Sequence, residues 1–509
     1  MVPSWFFRIA TGKSYLVMSL CLGLALPLFG GDNVSAASDS LEEVRAQIQE
    51  LRNALDEMRG RLAASKEESE ALRREIQSVR EQLQEVRNGA AASRSSDATS
   101  ESGKPDDSLA GLAEEQRLLA AKVDDQYQTK VASGSRYQVR LSGIALLNAF
   151  NTRGSVDNID VPLTARPVAP GESNGSSAAT VRQSLLSLEV FGPQWGGAKT
   201  LGELKFDFFG GFPATAEGVT AGLVRLRTAT LNLEWKNTSL VVGQDTPFFS
   251  PGSPTSLAST AYPALASSGN LWTWTPQIYI ERRVKWSDGS SLALQGGLLD
   301  ALTGELPVTE YTRTPTAGER SRVPAYAIRL AWQRTANGRT AIVGAGTYYS
   351  RQNWGFDRTV DAWAVTTDWD LPLGRWFSLS GELYRGRAIG GLGGGATGSV
   401  IFAGSSALPG TTVLAINSLG GWSQLKFKPV EKVQFNAAFG KDGSFGPGLT
   451  HLLNATGLVH RNASGFVNLI YQPRSNLLFS VEYRRLWTSR FWESMATADH
   501  FGLGAGILF

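Results

Sequence analysis

The sequence contains little of the side-chain chemistry that enzymes use: it has one cysteine and three histidines among 509 residues. Cys21 lies in an N-terminal apolar segment, so a chain that has lost this segment can form neither a disulfide nor a thiol nucleophile. His451, His460 and His500 belong to no recognisable serine or metal-ligand motif. We therefore predict that the protein is not an enzyme and has no catalytic residue, bound metal or cofactor.

Long hydrophobic runs are also missing. After the first 35 residues no stretch reaches the ~18 apolar residues of a membrane-spanning helix, which excludes a helical membrane protein. Strands that cross a membrane escape this search, because only alternate residues of a β-barrel face lipid. The net charge of +3 is small and argues neither for nor against a nucleic-acid partner. No basic cluster with interleaved aromatic residues occurs, so we do not expect nucleic acid as a partner.

Residues 1–36 have the layout of a cleaved secretory signal. Arg8 and Lys13 supply a positive start, residues 15–30 form the apolar core, and Val34-Ser35-Ala36 fits the small-residue rule for cleavage. An uncleaved membrane anchor is the alternative, although the apolar run is short for one. Cys21 follows a leucine where a lipoprotein signal requires a small residue, so lipidation is not expected.

Residues 37–88 are predicted to form a periplasmic coiled coil. Two series of positions seven residues apart, offset by three, continue through seven heptads, and twelve of the fourteen positions are apolar. A single amphipathic helix on a domain surface is the alternative. The pattern does not decide whether two or three helices associate in the coiled coil. The apolar positions that we expect to mediate oligomerisation are Leu41, Val44, Ile48, Leu51, Leu55, Met58, Leu62, Leu72, Ile76, Val79, Leu83 and Val86.

Residues 89–135 are predicted to be a flexible linker that contains one short helix. The stretch Asn88–Ser108 is rich in glycine, serine and alanine, which is typical of mobile connections. Leu109–Asp125 places apolar residues on one stripe, which indicates a helix. This helix could extend the coil or lie beneath the following domain.

The hydrophobic period changes to two at about Arg136, and this pattern continues to Phe509. In one segment Leu204, Phe206 and Phe208 alternate with charged residues. Further on, Tyr326, Ile328, Leu330 and Trp332 alternate with Arg329 and Gln333. Such alternation predicts strands with one apolar and one polar face. A half-buried soluble sheet would show the same alternation, so the lengths of the connections must decide between the two.

Short and long connections alternate strictly between these strands, which is the hairpin plan of an outer-membrane barrel. Counting gives 16 antiparallel strands in residues 136–509, with both ends of the barrel in the periplasm. The short links lie near Gly192–Lys199, Lys236–Thr238, Ser287–Gly289, Thr335–Arg339, Leu371–Arg375, Pro429–Lys432 and Gln472–Asn476. The long links are Thr152–Thr180, Gly210–Leu223, Asp245–Leu271, Ala301–Arg322, Arg351–Asp357, Arg385–Thr412, Asp442–Arg461 and Thr488–Asp499.

Aromatic residues support this orientation. Apolar aromatic side chains stand just before the short turns, where they would form a periplasmic girdle. The last strand ends in alternating apolar residues with Phe509 at the terminus, which looks like the signal read by the barrel-assembly machinery. The girdle residues are Trp235, Trp286, Trp332, Trp369 and Tyr471.

One strand breaks the alternation. Arg225 and Arg227 share the parity of Leu231, Leu233 and Trp235, although arginine and leucine belong on opposite faces. A β-bulge or a position at the external rim would resolve the conflict.

Charged residues on the polar face of the strands predict a water-filled lumen. A soluble core could not bury so many ions, because each unpaired one costs several kcal/mol. A channel accepts them and uses them to filter solutes, although the same charges could simply pair across strands and stabilise the wall. We predict that the lumen is lined by Glu203, Lys205, Asp207, Glu281, Arg283, Lys285, Arg329, Glu382, Lys426, Glu482 and Arg484. Their slight cationic excess predicts weak anion preference.

The link after the fifth strand is the candidate constriction. In 16-stranded porins this loop folds into the barrel and narrows it, and here it has aromatic residues and few charges. We expect the constriction loop to include Asp245, Phe248, Phe249 and Tyr262. An ordinary external loop is the alternative.

The whole layout resembles the DcaP-like trimeric porins: a signal, a periplasmic coiled coil, a short spacer and a 16-stranded barrel. Locally, Arg225-Leu226-Arg227 leading to Trp235, then Leu240-Val241-Val242-Gly243-Gln244 and an aromatic loop, looks like the third hairpin of that family. The resemblance implies a homotrimer and passive diffusion of small, often anionic solutes. The lumen lacks a dense arginine ladder, which counts against a dedicated phosphate channel.

Two functions follow as hypotheses. The first is a trimeric outer-membrane porin for small hydrophilic solutes, with the membrane lipid and the barrel-assembly machinery as partners. The second is a structural protein that tethers the outer membrane to the cell wall, with peptidoglycan bound by the coiled coil. Solute flux through the barrel would distinguish them.

Overall fold

The structure is a computed structural model, and it describes residues 130–132, 138–213, 222–305, 312–395, 398–446 and 457–509. The predicted signal, the coiled coil and almost all of the linker lie outside these residues. Within the described part of the chain, no helix is both long enough and apolar enough to span a membrane.

Sixteen antiparallel strands form a closed barrel, as predicted, and each pairs with its sequence neighbours. The ring closes where the first strand pairs with the last, from Ile144 opposite Leu508 to Arg153 opposite Asp499. The C-terminal Phe509 continues this ladder, because its backbone exchanges two hydrogen bonds with Gly143. The strands are β1 (Gln138–Arg153), β2 (Leu185–Trp195), β3 (Ala198–Asp207), β4 (Arg225–Glu234), β5 (Thr238–Asp245), β6 (Thr275–Ser287), β7 (Ser290–Leu299), β8 (Ala325–Ala336), β9 (Arg339–Asn353), β10 (Thr359–Leu373), β11 (Phe377–Arg387), β12 (Asn417–Val430), β13 (Val433–Phe445), β14 (Val459–Arg474), β15 (Leu477–Arg490) and β16 (Ala496–Leu508).

Most of the minor elements lie at the long-loop end of the barrel. A short strand, Gly175–Thr180, precedes β2 and pairs with the upper part of β1. Two small two-stranded ladders join Ser155–Val156 with Ala165–Arg166, and Val400–Phe402 with Val413–Ala415. A one-turn helix, Ala317–Arg320, is capped by Thr316, and a single 3₁₀ turn covers Gly390–Leu392. Lys130–Ala132 pairs with the start of β1.

The connections follow the predicted alternation, with two differences in length. All seven short turns lie where they were expected, for example Asp288–Gly289 between β6 and β7. The links after β9 and β15, predicted as long, are only residues 354–358 and 491–495. These links are short because the flanking strands continue beyond the predicted ends, through polar residues such as Arg351–Asn353 and Thr488–Arg490.

The outer surface of the barrel is apolar. Ile280, Leu294, Ile328 and Leu383 each expose about half of their surface outward. Near the short turns, Phe377, Phe427 and Phe435 stack in a row with ring centroids 4.6 and 6.0 Å apart. The predicted girdle tryptophans stand at the same end, and Trp286 is 71% exposed. An apolar band bounded by aromatic residues suits a lipid environment.

The irregular strand β4 contains the predicted bulge. Thr228 pairs with Lys205 and Leu226 with Phe206, so Arg227 has no partner of its own in the ladder. This extra residue reverses the parity of the strand. As a result Arg225 and Arg227 point inward while Leu226 and Leu231 point outward.

Candidate functional site: the lumen and the loop that crosses it

The loop after β5, residues 246–274, folds into the barrel. The hydroxyl of Thr366 on β10 donates to the carbonyl oxygen of Phe249 at 2.8 Å. Further along, the backbone N–H of Thr255 donates to Gln424 on β12 at 2.9 Å, and the Ser256 hydroxyl donates to Glu482 on β15 at 2.5 Å. The first half of the loop therefore lies along the inner wall from β10 to β15.

The loop then reaches the opposite side of the lumen. Thr260 N–H donates to the Gln183 amide oxygen at 2.8 Å, just before β2. Arg225 and Arg227 on β4 donate to the carbonyl oxygens of Ala261 and Thr260, each at 2.8 Å. Because the loop contacts strands on both sides, it divides the lumen rather than lining one wall.

The predicted constriction residues hold the loop in place. Asp245 ends β5 and accepts a hydrogen bond from Thr246 N–H. Phe248 stacks on Tyr279 at 4.5 Å and Phe249 on Tyr348 at 5.3 Å, and both phenylalanines are buried. The two rings therefore anchor the loop against the wall instead of projecting into a channel.

Tyr262, the fourth predicted constriction residue, lies on the far side of the lumen. Its ring makes an edge contact with Trp272 at 5.2 Å. The guanidinium of Arg225 lies over the Tyr262 ring, 5.1 Å from its centroid. Tyr262 thus joins the loop to an arginine-rich part of the wall.

The inner surface under the loop, here called the covered wall, belongs to β8–β15. Its polar side chains are almost completely buried and bond to each other or to the loop. An ion pair joins Arg484 to Glu482 at 2.7 Å, and Arg484 also donates to the Ser259 hydroxyl of the loop at 2.6 Å. The residues of the covered wall are Arg329, Asp368, Glu382, Gln424, Asn436, Asn468, Glu482 and Arg484.

Amide side chains connect the middle of the covered wall. Gln424 donates to Asn436 at 2.8 Å, Asn436 donates to Asn468 at 2.7 Å, and Asn468 donates to Glu482 at 3.0 Å. Each residue lies on a successive strand from β12 to β15. A chain of this kind satisfies buried polar groups at every step, which rigidifies the wall.

The ion pair of Arg329 and Asp368 spans a whole strand. Arg329 on β8 and Asp368 on β10 form two hydrogen bonds of 2.9 and 2.6 Å across β9. Gly344 on β9 lies between them, and a Cβ there would be 2.4 Å from the Asp368 carboxylate. A side chain at this position would therefore force the buried ion pair to shift.

Glu382 fixes the loop to β11 without a cationic partner. Its carboxylate accepts hydrogen bonds from the Ser250 hydroxyl at 3.0 Å, from Gly252 N–H at 2.8 Å and from the Trp422 indole at 3.4 Å. The side chain is buried. Two of these donors, Ser250 and Gly252, belong to the loop, so the buried carboxylate ties the loop to the wall.

The opposite inner surface, here called the open wall, belongs to β1–β3 and β6. Its ion pairs remain accessible: Lys205 with Glu203 at 2.8 Å, Arg283 with Glu281 at 2.5 Å, and Arg140 with Glu189 at 3.5 Å. Lys285 also lies here and pairs with Asp288 in the turn. The open wall consists of Arg140, Glu189, Glu203, Lys205, Glu281, Arg283 and Lys285.

Gln295 on β7 links the two walls. Its amide nitrogen donates to Glu281 at 2.7 Å and its amide oxygen accepts from Arg329 at 3.1 Å. Lys426, also predicted to line the lumen, faces inward at the short-turn end of β12. The structure thus places the predicted charges on the inner face but divides them between an accessible and a buried group.

Asp207 is the centre of the arginine-rich part of the wall. Arg225 binds it with two hydrogen bonds of 3.0 and 2.6 Å, and Arg227 approaches to 3.8 Å. Both guanidinium groups lie about 5 Å from the ring of Trp274. Sequence parity alone could not place these arginines, because their direction depends on the bulge.

The rim loop after β7 carries two acidic groups that compete for one cation. Burial raises the pKa of Asp300, and the charge of nearby Glu319 adds to the rise. Burial would raise the pKa of Glu319 too, but hydrogen bonds from Thr316 and Arg313 lower it overall. Arg313 contacts both carboxylates, so Glu319 holds the charge more readily than Asp300.

Neither a protein-family model nor a curated protein sequence matches the chain. Solved structures do match. The crystal structure of the outer membrane channel DcaP of Acinetobacter baumannii superimposes with a TM-score of 0.56 and 18% identity, over 75% of this chain and 100% of that chain. The described barrel has the DcaP fold.

The DcaP fold was predicted from the layout of the sequence, and the comparison confirms it. OprB of Pseudomonas putida is also similar, with a TM-score of 0.45 and 11% identity over 73% of this chain and 94% of that chain. OmpT of Vibrio cholerae has a TM-score of 0.42 and 10% identity, over 75% and 100% of the two chains.

Within the described residues, no group of three or more histidine, cysteine, aspartate or glutamate side chains could hold a metal ion.

Proposed function

We propose that the protein is an outer-membrane porin through which small hydrophilic solutes diffuse passively, with a weak preference for anions. Support comes from the closed barrel with the DcaP fold, its apolar outer band and its charged inner face. In this proposal the short turns and both ends of the barrel lie in the periplasm. The predicted coiled coil, which lies outside the described residues, would then be periplasmic as well.

The exposure of the ion pairs carries the proposed anion preference. In the close pairs of the open wall the cation is more exposed than its carboxylate: 48% against 25% for Lys205 and Glu203, and 51% against 14% for Arg283 and Glu281. Arg140 and Glu189 follow the same order, at 37% and 22%. Glu234 on β4, which lies 3.8 Å from Arg283, is about as exposed as the arginine, at 50%. A solute that passes this wall meets the cationic groups first, which favours anions.

The loop of residues 246–274 is the proposed constriction. It is held by Glu382 and Glu482 on one side of the lumen and contacts Arg225 and Arg227 on the other. The path left for solutes then lies beside the open wall. Such a path would be narrow, and it would expose a solute mainly to the accessible ion pairs.

We also propose that the protein forms a homotrimer. The apolar heptad positions from Leu41 to Val86 would hold three chains together in the periplasm. The alternating apolar face of β16 and the terminal Phe509 would be read by the barrel-assembly machinery. A rod of this kind could also contact peptidoglycan, which is the basis of the alternative function as a tether.

A planar-bilayer recording of the full-length protein tests the proposal. We expect stepwise conductance and, in a salt gradient, a reversal potential of the sign that weak anion selectivity gives. Clear cation selectivity would refute the anion preference alone. Absence of both conductance and liposome swelling, with a folded barrel, would refute the porin and favour the tether.

A further inference from the structure

The outer surface of the barrel has a groove at the short-turn end of β5 and β6. It has a volume of about 500 Å³ and is lined by Trp235, Thr238, Leu240, Ile280 and Arg282. The two strands are in register here, with Arg282 opposite Thr238 and Ile280 opposite Leu240. The groove is therefore formed mainly by one pair of strands, and it has an apolar floor and one cationic end.

Arg282 is out of place on this face. It shares its parity with Ile280 and Val284, which expose 54% and 51% of their surface outward. A lipid-facing arginine destabilises a barrel unless it lies near the headgroups or meets an anion. Arg282 stands opposite the first residue of β5, next to a turn, which is the depth of the headgroups in the proposed orientation.

The neighbouring carboxylates do not neutralise Arg282. Glu234 and Glu281 both pair with Arg283, which points into the lumen. Arg282 itself donates one hydrogen bond, 2.7 Å long, to the Thr238 hydroxyl. Since a guanidinium has five donors, most of them remain available to a ligand on the outside of the barrel.

The groove continues along the same two strands. Val242 and Ile278 are the next outward positions after Leu240 and Ile280, and they line a second groove of about 600 Å³ that also contains Leu298. The second groove ends at the rim loop, where Asp300, Glu319 and Arg322 line it. The apolar stretch from Leu240 and Ile280 to Val242 and Ile278, here called the furrow, thus has Arg282 at its short-turn end. An elongated apolar molecule with an anionic end matches this arrangement.

We propose that the furrow binds a glycerophospholipid of the periplasmic leaflet. The lipid phosphate accepts hydrogen bonds from Arg282 and from the Thr238 hydroxyl, since a planar guanidinium suits phosphate oxygens. One acyl chain lies along Leu240 and Ile280 toward Val242. Trp235 closes the headgroup end, where its indole N–H is held by the Gly196 carbonyl oxygen at 2.9 Å. This inference rests on the proposed location in a membrane but not on conduction.

Native mass spectrometry of the full-length protein in detergent, with phosphatidylglycerol added, tests the site. We expect Arg282→Gln to weaken phosphatidylglycerol binding about tenfold, because a charge-assisted hydrogen bond is lost. Arg282→Lys should recover part of the binding. The matched control is Arg485→Gln, since Arg485 also faces outward but has a carboxylate partner, Asp499, at 3.4 Å. This control should retain lipid like the wild type.

A second variant tests the apolar part of the furrow. Leu240→Trp fills the floor and leaves Arg282 in place, so it should also lower lipid retention. Unchanged retention in both Arg282→Gln and Leu240→Trp would overturn the proposal. A second result would also overturn it: the wild type retains no lipid and the Arg282→Gln variant loses its oligomer. In that case a second copy of the chain would occupy the furrow.

Bilayer conductance of the same variants separates this inference from the porin function. We expect the conductance of Arg282→Gln to equal that of the wild type, because the residue faces away from the lumen. A barrel that conducts but retains no phosphatidylglycerol would overturn the lipid site alone. A barrel that retains lipid but never conducts would overturn the porin alone.

Discussion

The covered and open walls of the lumen contain the same kinds of ion pair in different surroundings. Arg484 and Glu482 on the covered wall are each only 2% exposed, whereas Lys205 and Glu203 on the open wall are 48% and 25% exposed. The pairs have nearly equal lengths, 2.7 and 2.8 Å. The loop of residues 246–274 makes the difference, because it excludes water from one wall and leaves it at the other. One barrel thus separates structural charges from charges that can meet a solute.

Removal of the loop should abolish the difference in exposure between the two walls. We expect its effect on the protein to be larger than that of any single substitution described below. Replacing Ser250–Ser268 by a short Gly-Ser linker leaves Glu382, Glu482 and Arg484 facing water. We expect the single-channel conductance to rise several-fold, because the lumen loses its proposed constriction. Replacement of residues 405–410, at the tip of a hairpin at the long-loop end, is the control and should change conductance little. Equal conductance in the wild type and the loop variant would show that the loop does not constrict the path.

A buried charge without its partner should give the next largest effect. Arg484→Met leaves the Glu482 carboxylate buried with only its neutral donors, and loss of one partner of a buried pair costs about 3–5 kcal/mol. We expect a corresponding fall in the urea concentration at the midpoint of barrel unfolding. Unfolding is measured by the heat-modifiable mobility of the barrel on gels. Arg484→Met combined with Glu482→Leu should recover much of the loss. If Arg484→Met unfolds like the wild type, water reaches the covered wall and the contrast between the walls is wrong.

Much of this architecture could be predicted from the sequence, because strand faces and tight turns are local properties. A period of two fixed the inward position of Glu482, and the conflict at Arg225 indicated the bulge that the structure contains in β4. The count of sixteen strands followed from the alternation of short and long connections. The coiled coil from Leu41 to Val86 stays a prediction, because it lies outside the described residues.

The burial of the lumen charges could not be predicted in this way. Parity shows that Glu382 and Lys205 both point inward, but only the path of the loop decides which one loses contact with water. That path depends on contacts between residues more than 100 positions apart, such as Gly252 with Glu382. The role of Gly344 was hidden for the same reason, since it depends on an ion pair formed by two other strands.

Adding a methyl group to a glycine should lower the stability of the barrel where the glycine lies in the covered wall. Gly344→Ala places a Cβ 2.4 Å from the Asp368 carboxylate and 2.7 Å from the Arg329 guanidinium. We expect a loss of about 1–3 kcal/mol in the free energy of unfolding, as in other overpacked sites. Gly296→Ala on β7 is the control, because a Cβ there meets no atom within 4 Å. Equal unfolding midpoints for the two variants would contradict the tight packing around the Arg329 pair.

A charge on the open wall should affect selectivity more than stability, and this is the smallest effect. Lys205→Gln removes the more exposed member of its pair, and an exposed ion pair contributes only about 0–1 kcal/mol to stability. We therefore expect an unfolding midpoint near that of the wild type. The reversal potential in a salt gradient should shift toward cation preference, since Glu203 then faces the path without its cation. Glu203→Gln provides the matched opposite change and should shift the potential toward anions. A shift of the same sign in both variants would mean that these side chains alter the width of the path rather than its charge, and the exposed cations would then not explain selectivity.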